Sequence, residues 1–85
     1  MLVTVNLASI DSPLTTDDLS AIDAALAAKG LRKQVRSVVV PGKAYATTYD
    51  APNMDKGQVE DIMTPLAERQ HITFTVDIEE SVSFP

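Results

Sequence analysis

Cysteine is absent from this 85-residue chain, so neither a disulfide nor a thiolate metal site can staple it together. A domain this small must then stand on packing alone, or on pairing with a partner. The absence also suits a reducing compartment. Apolar runs long enough to span a membrane are missing too. The opening MLVTVNL alternates like a strand and offers no basic segment followed by a long apolar one, so no signal peptide is expected. The expected location is the cytoplasm. Histidine occurs once, at His71, which rules out a histidine-based metal site within one chain. No Ser-His-Asp spacing, nucleophile elbow, P-loop or dinucleotide fingerprint appears. The expectation is a protein without enzymatic activity, cofactor or metal.

One stretch also lacks acid. Between Lys29 and Lys43 there are five basic residues (Lys29, Arg32, Lys33, Arg36, Lys43) and no Asp or Glu, a local charge of +5. The remainder sets twelve acids against Lys56 and Arg69, and the chain carries −5 in all. A mostly acidic protein is repelled by phosphate backbones, so direct nucleic-acid binding is not expected. A partner with a basic groove suits it better.

What is present reads as one small globular domain, residues 1–85, at 45% hydrophobic and 22% charged. The first strand is Leu2 to Leu7, with Val3, Val5 and Leu7 inward and Thr4 and Asn6 outward. After Ser12-Pro13 a helix starts at Thr15 as N-cap. Asp18 closes a capping box, and Leu14 and Leu19 stand at the positions of a hydrophobic staple. Its inward stripe is Leu19, Ile22 and Leu26, flanked by Ala25, with Asp23 turned outward. Lys29-Gly30 ends it, the glycine taking the left-handed conformation.

The second strand covers 33 to 40. Pro41-Gly42 fits the centre of a type II turn within a loop from Val40 to Ala44, and the third strand runs from Ala44 to Asp50. Asp55 and Gln58 cap a second helix with a stripe of Val59, Ile62, Met63 and Leu66. Pro65 should kink that helix or divide it after Met63. The last strand alternates Ile72, Phe74, Val76 and Ile78 with Thr73, Thr75, Asp77 and Glu79. The same parity continues through Val82 and Phe84.

The order β-α-β-β-α-β, with one apolar stripe on each helix, resembles the ferredoxin-like arrangement. That resemblance implies an α+β fold: a four-stranded antiparallel sheet in order 4-1-3-2, with both helices on one face. Small residues on the third strand suit close packing under an alanine-rich helix, so Tyr45 and Tyr49 are expected on the open face. Paired aromatics there resemble the base-stacking platform of RNA-recognition modules. The basic-glycine-aromatic signature of those modules is missing, however.

Lysine and arginine at 32, 33 and 36 read as guards of an edge strand. His71 reads as a helix C-cap. The acids Glu60, Asp61, Glu68, Asp77, Glu79 and Glu80 read mainly as a solvated surface. Read more sharply, they line up as a negative track that imitates phosphates.

The expected function is a protein-binding module. Its concrete form is an inhibitor of a nucleic-acid-handling complex, by analogy with small acidic phage-encoded proteins such as anti-CRISPR proteins. Tyr45, Tyr49 and the six acids would make its contacts. The alternative is a dimeric ferredoxin-like enzyme, or a regulatory domain binding a small molecule. Pairing with a second copy is left open.

Overall fold

The structure, a computed structural model, describes residues 2–79. Val82 and Phe84 lie outside the described residues. Six elements follow in the expected order: β1 (Leu2–Ser9), α1 (Thr16–Ala28), β2 (Arg32–Val40), β3 (Ala44–Asp50), α2 (Lys56–Gln70) and β4 (Ile72–Glu79). The strands form one antiparallel sheet in the order β2-β3-β1-β4. Read from its other edge, that is the expected 4-1-3-2.

Local chemistry sets the element ends. The Thr15 hydroxyl accepts from the Asp18 amide at 3.1 Å, and the Asp18 carboxylate accepts from the Thr15 amide at 3.0 Å. Asp55 and Gln58 exchange the same pair of bonds at the start of α2. Leu14 and Leu19 are both buried, as a staple requires. At the end of α1, Gly30 sits at φ +95°, and the Leu31 amide donates back to the Leu26 carbonyl at 3.0 Å. Gly42 takes φ +76°, and the Lys43 amide closes the turn on Val40. His71 caps α2 in the left-handed region, its amide donating to Ala67.

Both helices cover the face formed by Val3, Val5 and Leu7. Leu19, Ile22 and Leu26 of α1 and Val59, Met63 and Leu66 of α2 join those residues, with Ile72 and Val76, in one core. Thr73, Thr75 and Asp77 look the other way and are exposed. Among the described residues, no helix is long and apolar enough to cross a membrane.

Two expectations are corrected, and one of two alternatives is decided. The tyrosines lie on the helix side of the sheet. Across the β1–β3 ladder Val3 faces Tyr49, Val5 faces Thr47 and Leu7 faces Tyr45, and residues directly opposite share a face. The premise of close alanine packing fails, because Ala21, Ala24, Ala27 and Ala28 are exposed and large side chains meet the sheet. A buried tyrosine then contributes more apolar contact than an alanine, provided its hydroxyl finds a partner.

Asp23 turns toward the sheet and supplies that partner for Tyr49. Pro65 does not divide α2, which is continuous from Lys56 to Gln70. The carbonyl deprived of a donor belongs to Asp61, an exposed residue, so water can serve it.

Candidate protein-binding surface

A strand at a sheet edge leaves one row of backbone groups unpaired. β2 holds that position, with β3 as its neighbour within the sheet. The β2–β3 register shifts between Lys33 and Val35 and again between Val38 and Val40, leaving Gln34 and Val39 as extra residues. Each extra residue inverts the parity that follows. Lys33, Arg36 and Val38 pair with the helix-side residues Tyr49, Thr47 and Tyr45. Val35, Ser37 and Val40 pair with the open-side residues Thr48, Ala46 and Ala44.

An apolar rim is displayed on both faces of the edge, and the extra residue Val39 decides that Val40 joins Val35 on the open side instead of Val38 on the helix side. Val35 is 56% exposed, Val38 58%, Val39 63% and Val40 45%. Val39 also lines a shallow hollow of about 250 Å³ on the open face, with Asn6, Ala8, Ala44 and Thr75.

The cations of this strand divide into two sets. Arg36 Nε donates to Thr47 Oγ1 at 2.9 Å, and its Nη2 donates to Asp23 Oδ1 at 2.5 Å. Lys33 Nζ lies 3.4 Å from Asp23 Oδ2. Asp23 thus gathers Arg36, Lys33 and the Tyr49 hydroxyl, bolting α1 to the edge of the sheet. Burial, and then the adjacent Asp23 carboxylate, push the Tyr49 phenol well above its ordinary pKa. Arg36 therefore does not guard the outer edge as expected; its side chain serves the interior. Arg32 and Lys43 remain exposed at the two ends of the valine run.

Asp23 was legible in principle. Leu19, Ile22, Asp23 and Leu26 fall at i, i+3, i+4 and i+7, so the aspartate occupies a position of the inward stripe.

The expected contact residues do not converge. Tyr49 is completely buried, and half-buried Tyr45 accepts the Gly42 amide at 2.9 Å with its hydroxyl. Neither projects from the open face. Asp61 lines a groove of about 510 Å³ between the helices, beside Ala25, Ile62 and Arg69. Glu60, half-buried, stands next to it on α2. Glu68 lines a different groove of about 470 Å³, with His71, Ile10, Ile72 and Phe74. Asp77 lies on the open face, accepting from Asn6 Nδ2 at 2.9 Å. Glu79 ends β4, and Glu80 lies outside the described residues. The helix acids and Asp77 thus occupy opposite layers of the fold.

No three His, Cys, Asp or Glu side chains among the described residues are grouped to hold a metal ion. No family model matches this chain, and no curated protein or solved structure matches it.

Proposed function

We propose that the chain is a non-enzymatic module that binds another protein along β2. The observation that carries this reading is the run of exposed valines on a strand edge that no other strand among the described residues pairs. Apolar side chains gathered at a free edge are costly in water and favour a partner that covers them. Affinity capture with the intact chain and with a Val38→Lys, Val40→Lys variant tests it. Proteins retained by the first and lost by the second support the reading. A set of retained proteins that the substitutions leave unchanged would sink it.

The finer reading is an inhibitor of a nucleic-acid-handling complex, of the anti-CRISPR kind. Support comes from the net charge of −5 and from Asp77 standing among hydroxyl groups on the open face. Reversing the charge of Asp77, Glu79 and Glu80 should weaken capture of a partner that has a basic groove and should flatten its salt dependence. The ferredoxin-like description rests on the βαββαβ element order together with the sheet order.

A second reading has its own observation. The groove beside His71 combines an apolar floor of Ile72 and Phe74 with the Glu68 carboxylate, and its volume suits a small ligand. A dimeric regulatory domain or enzyme could use it. A mass measurement in solution that finds only monomer counts against that reading.

A further inference from the structure

The exposed edge restricts what kind of partner can bind. We infer that β2 accepts an extended segment of another protein as a fifth strand, and that this segment is apolar in its middle and acidic at its ends. The inference rests on the protein-binding reading above and specifies the partner's chemistry.

Backbone geometry comes first. β2 is a nine-residue strand, and its outer row of amides and carbonyls faces away from β3. An added strand would satisfy that row with main-chain hydrogen bonds, while side-chain contacts choose the sequence. The valines provide those contacts on both faces: Val35 and Val38 lie on opposite faces by simple alternation, and the extra residue Val39 moves Val40 to the open side. An incoming strand thus meets Val38 on the helix side and Val35 and Val40 on the open side.

Bulges and basic residues ordinarily discourage such pairing. Here the protection is local. Arg32 and Lys33 stand at the start of the strand, and Arg36 is drawn inward to Asp23. Beyond it, no charged side chain occurs before Lys43. Residues 35 to 38, between the two extra residues, are therefore the least guarded part, and Val39 and Val40 extend it without adding charge.

Charge then selects the occupant. From Lys29 to Lys43 there is no acidic residue, and the cations that Asp23 on α1 engages are Lys33 and Arg36. The ends of the valine run therefore attract carboxylates. A second copy pairing through its own β2 would bring the same cations together. A second copy pairing through β4 would leave a β2 edge free at one end, and so would grow into open chains instead of closing.

The test uses the whole protein and two synthetic ten-residue peptides, one with a valine-rich centre flanked by glutamates and one with the same centre flanked by lysines. Binding is followed by amide hydrogen exchange and titration, and the protein's mass is measured alongside. The glutamate peptide should slow exchange within residues 34–40 and bind at least about tenfold more tightly than the lysine peptide. Most of that preference should vanish in about 1 M salt. Val39→Asp should weaken binding by about tenfold or more, and Val39→Thr, which keeps the branched shape, by less than about threefold.

Equal affinity for both peptides overturns the charge assignment. Slowed exchange in β2 that appears without peptide and grows with protein concentration shows that a second copy is the occupant, which overturns the inference. If no peptide binds while lysate capture still depends on Val38 and Val40, strand addition is wrong and the protein-binding reading survives. Loss of both sinks both.

Discussion

The Tyr49 hydroxyl donates a 2.7 Å hydrogen bond to Asp23 Oδ1, joining the end of the third strand to the first helix. The phenol is sealed from solvent, and the same carboxylate receives Arg36 and Lys33. One acid on a helix therefore satisfies a buried donor and is shared by two cations of an edge strand. Because the exposed rim of β2 is carried on that strand, the cluster links the stability of the fold to the proposed binding edge.

Removing the acceptor should cost more than removing the donor. Tyr49→Phe loses one hydrogen bond to a charged group and should destabilise by about 1.5–3 kcal/mol. Asp23→Ala strands the buried hydroxyl and leaves Arg36 without its carboxylate, for a loss of about 2–4 kcal/mol. Urea unfolding of the two variants measures both. An Asp23→Ala loss smaller than that of Tyr49→Phe would show that the cluster is dispensable.

The raised Tyr49 pKa also predicts an alkaline limit. In the unfolded chain the phenol ionises near its ordinary value of about 10. In the folded chain burial and Asp23 keep the proton on. Folding is unpenalised below that value. Above it the unfolded state alone sheds the proton, so stability falls with rising pH, by at most about 1.4 kcal/mol per pH unit. Unfolding measured on both sides of that pKa should show this slope in the natural protein and a shallower one in Tyr49→Phe.

Pro65 offers a gain. It is exposed within α2 and donates no backbone hydrogen bond to Asp61. Pro65→Ala restores the donor and should stabilise by about 1–3 kcal/mol, seen as a higher thermal midpoint. An unchanged midpoint would mean that the helix already accommodates the proline without strain.

Gly30 isolates a backbone effect. Its φ is +95°, and a Cβ placed there would meet nothing nearer than the Met54 methyl at 3.9 Å. Gly30→Ala should therefore cost about 1–2 kcal/mol from the left-handed conformation alone, with no packing change. Met54→Ala in the same background should leave that cost intact in a double-mutant cycle.

The chain by itself determined where its elements start and stop. Thr15 with Asp18, Asp55 with Gln58, Lys29-Gly30 and Pro41-Gly42 act within a few residues of themselves, so their chemistry reads directly from neighbours. The strand order followed from the alternation of elements and the handedness of their connections. The faces of the third strand needed the tertiary structure, since Ala44-Tyr45-Ala46-Thr47-Thr48-Tyr49 offers an acceptable set on either side. Pairing with Val3, Val5 and Leu7 chose between them. The inward turn of Asp23 and Arg36 depended on partners thirteen residues or more away, and the side of the sheet that Val40 takes depended on a bulge. Short-range rules contain no term for such distant contacts, and the proposed binding edge is held in place by them.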